Sequence, residues 1–420
     1  MPTESTEPPE STELSPTGGA AAQPPTQAAP GTGRWGVLAL AVGVFVVGTG
    51  EFVLAGLLPM LSASLDISMA VAGQVITVFA LSCAVAAPVL TTLTARWPRR
   101  RVLLLAVLTY LVGSLGTALA PSYTVVLAAQ IVAATGVGVF VPTASVTAAA
   151  LVPPERSGRA IATTVTGFTA AVTLGAPLGT MLGELLGWRA TLWFAAVLAA
   201  LGMLGIRALL PRDLSVPAPT GLRQRLRPLT QGRILATLGT TLVGFTAVYI
   251  PYTYIGAVFE PATSGDGIRL SVLMFALGVI GTAGNLAAGA LADRIGSRRV
   301  VAAALAWLTV SLLVLPLTTS NFAAAIALIL CYGVAAFAIT TPQQHRLLAL
   351  EPGSASVLVS LNQAILYLAI ALSGAVGGIG IAWVGTNNLS LIAAVLAALA
   401  LGLSQLAHQL ATRSTTPTPS

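Results

Sequence analysis

Long apolar runs alternate with short segments of charge, proline and glycine through most of this chain. Twelve such runs lie between residues 35 and 410. A helix needs about 20 apolar residues to cross a bilayer. The pattern therefore predicts an all-α polytopic membrane protein with 12 transmembrane helices. The predicted limits are 35–61, 70–92, 102–120, 123–150, 159–184, 187–210, 233–259, 268–291, 300–317, 321–348, 355–384 and 388–410.

The two halves of the pattern repeat one another. TTLTARWPRRR at 91–101 aligns with GALADRIGSRR at 289–299, an offset of 198, and the regions of Pro142 and Pro342 align at an offset of 200. Two matches at nearly one offset predict two six-helix halves, related by an axis along the membrane normal, with a substrate site between them. The predicted divisions are a tail at 1–33, halves at 34–210 and 233–410, a cytoplasmic linker at 211–232 and a tail at 411–420.

Composition agrees with a membrane protein. The chain is 55% hydrophobic and 8% charged, far below the roughly 25% charged residues of a soluble domain. Residues 1–33 are rich in Pro, Thr, Ser and Glu and lack the basic segment of a signal peptide, so we expect a disordered tail. Cys83 and Cys331 lie inside apolar runs and offer neither a disulfide framework nor metal-ligand spacing.

The formal charge of +7 comes entirely from arginine and indicates topology rather than nucleic-acid binding. With the amino terminus placed in the cytoplasm, 18 of the 20 arginines fall on the inner side, and only Arg189 and Arg269 fall outside. Inner loops of membrane proteins carry the excess of basic residues. We therefore expect both termini to be cytoplasmic.

Glu51 is the only ionisable residue in the first apolar run, inside GTGEFVLAGLLP. A charge near the membrane centre is costly, so we expect Glu51 to face the protein interior or a water-filled cavity. Removal from water disfavours the ionised form of a carboxyl group, which makes Glu51 a candidate proton carrier. The alternative is a neutral glutamic acid that hydrogen-bonds a neighbouring helix.

The loop GALADRIGSRR resembles the loop motif of the major facilitator superfamily. The resemblance implies that the acid and the arginines of such a loop pair with each other and with helix ends to hold one gate state. In the first half the same loop is degraded, with Thr91, Ala95 and Pro98 at motif positions. The motif residues in the second half are Gly289, Asp293, Arg294, Gly296, Arg298 and Arg299.

Other segments are most similar to the drug and proton antiporter branch of that superfamily, which includes bacterial sugar and chloramphenicol exporters. The first run carries an embedded acid after Gly-Thr, and GFTAAVTLGAPLGTMLGELLGWR in the fifth resembles a motif associated with exporters. In that motif Gly175, Pro177 and Gly179 allow close packing and bending. The resemblance covers about residues 34–410 and implies an exporter.

Gln130 marks a departure from the branch, which typically has an arginine at this place in the fourth span. The resemblance implies that this arginine helps transfer the proton to or from the embedded acid. Glutamine can hydrogen-bond a protonated carboxyl but supplies no charge. Helix rise puts Gln130 and Glu51 at compatible depths, so contact between them is feasible.

Further polar residues within the runs are candidates for the substrate cavity, each with a structural alternative. Tyr252 and Tyr254, with Tyr249, fall near the outer end of the seventh run, where aromatic residues also form membrane-interface belts. Asn362 and Gln363 in the eleventh run line the cavity or hydrogen-bond neighbouring helices.

We therefore expect a transporter of a bacterial inner or plasma membrane, and not an enzyme. The sequence carries no phosphate-binding loop, zinc-type histidine pair or nucleophile and base arrangement, so an ion or substrate gradient must supply the energy. The predicted function is proton-coupled export of a small, amphipathic or apolar compound such as a drug, antibiotic or metabolite. An uncoupled or differently coupled facilitator and a transport-inactive sensor or scaffold are the alternatives. We expect a monomer in the bilayer, with protons and a small molecule as partners and no cofactor.

Overall fold

A computed structural model describes residues 32–212, 214, 227–351 and 355–413. The described residues form helices joined by short turns, and 12 of these helices are long and apolar enough to cross a membrane. The predicted disordered tail at 1–33 lies outside the described residues apart from 32 and 33, and only 211, 212, 214 and 227–232 of the predicted linker are described. Spans 1 to 12 are, in order, Gly33–Leu65, Met69–Leu93, Arg99–Ala118, Tyr123–Ala150, Ser157–Leu186, Trp188–Leu209, Gly232–Thr253, Gly267–Ile295, Ser297–Leu317, Phe322–Leu350, Val357–Val384 and Leu389–Gln409.

The number of spans and the fold class agree with the apolar pattern, and one boundary differs clearly. Span 7 ends at Thr253 rather than near residue 259, and two short helices, Ile255–Val258 and Glu260–Thr263, follow it. Pro251 lies inside the last turn of span 7 and has no N–H to donate. Because the following residues are just as apolar, hydropathy alone could not locate this break.

The main helix contacts within the first half have counterparts in the second half. Span 1 packs on spans 5 and 6 as span 7 packs on spans 11 and 12, and span 3 packs on spans 4 and 6 as span 9 packs on spans 10 and 12. Between the halves, span 2 packs on span 11 and span 5 packs on span 8. These two pairs are also equivalent under the repeat, which relates spans 2 and 5 to spans 8 and 11.

Spans 1 and 5 approach closely because glycines recur every four residues on span 5. Gly175, Gly179 and Gly183 lie against Thr49, Val53 and Leu57 of span 1, which are spaced in the same way. Just before Pro177, residues Ala171–Gly175 form a single π-helical turn. Such turns accommodate a proline inside a helix by widening the backbone hydrogen-bond ring.

Gly179→Ala tests this close packing. A methyl group at Gly179 would lie 2.5 Å from Cγ2 of Val53 and 3.1 Å from Cγ2 of Thr191. We expect a destabilisation of about 1–3 kcal/mol, the usual range for overpacking, measured as a lower midpoint of thermal inactivation in detergent. Gly205→Ala on span 6 is the matched control, because nothing lies within 4 Å of its added methyl group. An equal midpoint for both variants would contradict the packing argument.

Candidate functional site

Glu51 lies midway along span 1 and faces the boundary between the two halves. Its side chain is 8% exposed, and its Oε2 atom is buried without a hydrogen-bond partner. It lines a small cavity built from spans 1, 2, 7 and 11. The other lining residues are Phe52, Leu54, Ala55, Ile76, Phe79, Tyr249, Tyr252, Thr253 and Ile370.

Aromatic residues form four of the nine other lining residues around this carboxyl group. Phe52 packs edge-to-face against Phe168 of span 5 and Tyr252 of span 7, with ring centroids 5.3 and 6.1 Å apart. The Tyr252 hydroxyl donates to the backbone carbonyl of Phe52 at 3.2 Å, across the boundary between the halves. Tyr249 stacks edge-to-face on Tyr252. The site is therefore an apolar, aromatic cavity with one acid.

Two tyrosines from other spans also face Glu51. Tyr110 of span 3 and Tyr367 of span 11 interact electrostatically with its carboxyl group, and the hydroxyl groups of both are buried without hydrogen-bond partners. Tyr110 lies directly against Gly50, where an added Cβ would collide with its hydroxyl. The sequence predicts a site role for neither tyrosine, because an apolar pattern does not indicate which face of one span packs against which face of another.

The halves close against each other on one side of the membrane. We call the face where span 1 begins and span 12 ends the terminal face, and the opposite face the distal face. Between Glu51 and the distal face, Gln74 donates to the carbonyl of Gly374 at 3.3 Å, and Thr180 of span 5 donates to the sulfur of Met274 in span 8 at 3.4 Å. Tyr254 packs against Gly73 there.

On the terminal side of Glu51, span 11 is less tightly enclosed. Residues 361–366 are all partly exposed, whereas most residues from 367 to 378 are buried. Partial exposure around the full circumference of a helix means that its inward side also has free space. The arrangement is therefore closed at the distal face, with span 11 loosely packed toward the terminal face.

Gln130 lies away from the Glu51 cavity. It is 3% exposed and donates to Oγ1 of Thr117 in span 3 at 3.2 Å. It lines a second small cavity within the first half, beside Trp188. Both cavities touch Leu54. Gln130 and Glu51 have compatible depths in the membrane, but Gln130 faces a different side of span 1.

Tyr252 and Tyr254 are buried inside the bundle, which does not fit a membrane-interface belt. Tyr252 lines the Glu51 cavity. Tyr254 is 1% exposed, donates to the carbonyl of Gly374 at 2.7 Å and packs on Gly377. Tyr254 therefore belongs to the distal closure. Of the two tyrosines predicted for the substrate cavity, Tyr252 is the one that lines it.

Asn362 and Gln363 lie toward the terminal face, one turn or more from Glu51. Asn362 accepts a hydrogen bond from Thr241 of span 7 at 3.2 Å, and Gln343 of span 10 also donates to Thr241 at 3.3 Å. Asn362 thus hydrogen-bonds a neighbouring helix, which is the structural alternative to lining the substrate cavity. Gln363 lies within interaction range of Tyr367, one turn further along span 11.

The loop motif forms the turn between spans 8 and 9. Gly296 has a φ of 91°, a conformation that glycine adopts without strain. Arg298 donates to the amide oxygen of Gln405 in span 12 at 3.0 Å. Asp293 is exposed and makes no ion pair with any described arginine, since the single pair among described residues joins Arg269 to Asp266. The pairing implied by the resemblance is thus not formed with them in this arrangement.

Twelve membrane-length helices in two matching halves, with an aromatic cavity and one buried acid between them, define a polytopic membrane transporter rather than an enzyme. The sequence profile of the Major Facilitator Superfamily matches residues 40–374, and the chain belongs to that family. This match confirms the resemblance seen in the loop motif.

Individual relatives point the same way. The chain is 31% identical to the uncharacterized MFS-type transporter YbcL of Bacillus subtilis, covering 88% of this chain and 96% of that protein. It is 32% identical to the inner membrane transport protein YdhP of Escherichia coli, covering 87% and 94%. It is also 32% identical to a chloramphenicol resistance protein of Streptomyces lividans, covering 78% and 84%.

Solved structures show the same fold. A D-xylose-proton symporter superposes with a TM-score of 0.73 at 16% identity, covering 88% of this chain and 96% of the symporter. A bacterial homologue of the human lysosomal transporter Spinster, inward-facing and unoccupied, superposes with a TM-score of 0.71 at 15% identity, covering 94% and 100%. At such low identity these likenesses establish the architecture alone.

Gln74→Met tests the distal closure. The methionine keeps the side-chain length but cannot donate to Gly374, so the closed arrangement should lose up to about 1 kcal/mol. Spin labels at Ser122 and Asn387, both exposed at the distal ends of opposite halves, should report a larger population of long distances by pulsed electron resonance. Gln405→Met, which removes a contact within the second half, should leave the distances unchanged. Equal distance distributions for both variants would contradict the assignment of Gln74 to the distal closure.

Proposed function

We propose that this protein exports a small, amphipathic or apolar compound in exchange for protons, by alternating access. The observation that carries the proposal is the position of Glu51 between the halves, on a cavity wall, with one carboxylate oxygen lacking a partner. A carboxylate buried without a counter-ion is strongly disfavoured relative to the protonated acid. Glu51 therefore keeps a bound proton while the cavity is closed off from water, and it exchanges protons only on the side to which the cavity is open.

The cavity wall supports a substrate of apolar or amphipathic character. Phe52, Phe79, Tyr249 and Tyr252 offer ring faces and edges, and Thr253 adds one of the few hydroxyl groups. Ligand sites of this kind gain affinity from apolar burial and specificity from a few polar contacts. The relative named for chloramphenicol resistance makes chloramphenicol the first compound to test.

The distribution of arginines supports a cytoplasmic terminal face. With that orientation, the arrangement closed at the distal face is the one that loads substrate from the cytoplasm. Rocking of the halves would then open the cavity outward, where the substrate leaves and Glu51 takes up a proton. The glycine-rich packing of span 5 against spans 1 and 8 lets these helices shift while staying in contact.

Glu51→Gln tests the proton coupling. In proteoliposomes with an acidic interior, the unaltered protein should accumulate labelled chloramphenicol as protons leave. Because glutamine mimics the protonated acid and cannot release a proton, we expect at least about a tenfold loss of gradient-driven accumulation. Exchange of labelled for unlabelled chloramphenicol without a gradient should continue.

Glu260→Gln, at an exposed acid of the short helix after span 7, is the matched control and should accumulate chloramphenicol normally. Accumulation by Glu51→Gln equal to that of the unaltered protein would refute the coupling role.

An uncoupled facilitator is the second candidate, favoured by the placement of Gln130. Its amide is directed to Thr117, and the span-4 cation expected in the exporter branch is missing. A facilitator would equilibrate chloramphenicol across the vesicle membrane without accumulating it at any pH gradient. Binding of chloramphenicol without flux would instead favour the sensor or scaffold.

A further inference from the structure

Glu51 and two tyrosines that interact with it each have a buried oxygen atom outside hydrogen-bonding geometry. These atoms are Oε2 of Glu51 and the hydroxyl oxygens of Tyr110 and Tyr367. Buried polar atoms of native proteins are nearly always hydrogen-bonded, so a group of three calls for a physical explanation. All three could be satisfied if the tyrosines donated to the carboxylate, since a carboxylate offers about four acceptor sites.

The two tyrosines belong to different halves. Tyr110 is in span 3 of the first half and packs on Gly50, next to Glu51, so it moves with the acid. Tyr367 is in span 11 of the second half and reaches Glu51 across the boundary. Its hydroxyl lies within interaction range of the carboxyl group but has not reached hydrogen-bonding geometry. A movement of one half against the other therefore changes the Tyr367 contact and leaves the Tyr110 contact in place.

The other titratable groups that face Glu51 differ from Tyr367 in their own bonding. They are Cys83 of span 2, which donates to the carbonyl of Ala134 at 3.3 Å, and Tyr249 and Tyr252 of span 7. Tyr252 is already bonded to the carbonyl of Phe52. Of the second-half residues that face the acid, Tyr367 is the one whose hydroxyl is buried and unpartnered.

We propose that Tyr367 is a positioning residue that ties the ionisation of Glu51 to the relative position of the two halves. The proposal rests on the proton coupling put forward above. With the distal side closed, as in this structure, Tyr367 lies within reach of the carboxyl group, and it donates a hydrogen bond to the carboxylate once Glu51 ionises. When the halves move apart on that side, span 11 withdraws, the donor is lost, and Glu51 takes up a proton.

No proton is transferred to tyrosine in this scheme. The proton of Glu51 passes to water on the terminal side, and Tyr367 keeps its own proton and donates it only as a hydrogen bond. Hydrogen bonds to an ionised acceptor are about twice as strong as bonds between neutral groups. The contact therefore favours the ionised carboxylate in the distal-closed arrangement and not in the other.

Tyr367→Phe provides the test, because it removes only the hydroxyl oxygen that interacts with Glu51. The measurement is the distance between spin labels at Ser122 and Asn387, recorded from pH 5 to pH 10 in lipid nanodiscs without substrate. Cys331 is exposed and is replaced by serine, whereas Cys83 is buried and remains. Tyr332→Phe is the control, since the Tyr332 hydroxyl bonds the carbonyl of Val248 within the second half.

We expect the distal distance to change with pH in the unaltered protein and not in Glu51→Gln. In Tyr367→Phe the transition should occur at a proton concentration about tenfold lower, because the ionised form has lost a charge-assisted donor. Tyr332→Phe should keep the original midpoint.

The outcomes distinguish the role of Tyr367 from the proton coupling by Glu51 on which it rests. If Glu51→Gln abolishes the pH response but Tyr367→Phe keeps the original midpoint, Tyr367 has no coupling role and proton coupling stands. If the unaltered protein shows no pH response, or if Glu51→Gln keeps it, both proposals fail. An equal shift in Tyr332→Phe would show that the effect is structural and would also overturn the role of Tyr367.

Discussion

The unfavourable burial of an ionised carboxylate is the constraint on which this structure depends. A single acid on a membrane-spanning helix must face protein or water rather than lipid, and Glu51 faces the boundary between the halves, where both can reach it. That boundary is lined with aromatic rings and hydroxyl groups instead of counter-charges. Burial at such a site favours the neutral form of a carboxyl group, and contact with water weakens that preference.

Close helix packing makes movement about this acid possible without loss of contact. The glycines of span 5 bring its backbone against span 1, and Gly278 of span 8 sits directly on Thr173 of span 5. Small residues at both boundaries leave few bulky side chains to repack when one half tilts. The repeat relates the contact between spans 2 and 11 to the contact between spans 5 and 8. The two lateral contacts between the halves can therefore close in the same way.

The sequence predicted the spans, the repeat and the buried acid, because each is recorded within one helix or at one offset. It did not predict the partners of Glu51. Helix rise gives the depth of a residue but not the direction in which it faces, so Gln130 had the right depth and yet faces Leu54, Leu57 and Leu58 in a separate cavity. Tyr110 and Tyr367 are single tyrosines in apolar spans, and only the assembled bundle shows that both face the same carboxyl group.

The wall of the Glu51 cavity contains no basic residue among the described ones, and neutral partners around the acid give a physical reason for this. An arginine beside Glu51 would be left as an unpaired buried cation whenever the acid took up a proton, and an unpaired buried charge is costly. A tyrosine hydroxyl donates to a carboxylate and accepts from a carboxylic acid. Hydroxyl groups can therefore serve both states of the acid, so a carrier that alternates between them does not require a fixed positive charge, provided that the movement of the halves decides when the donors are within reach.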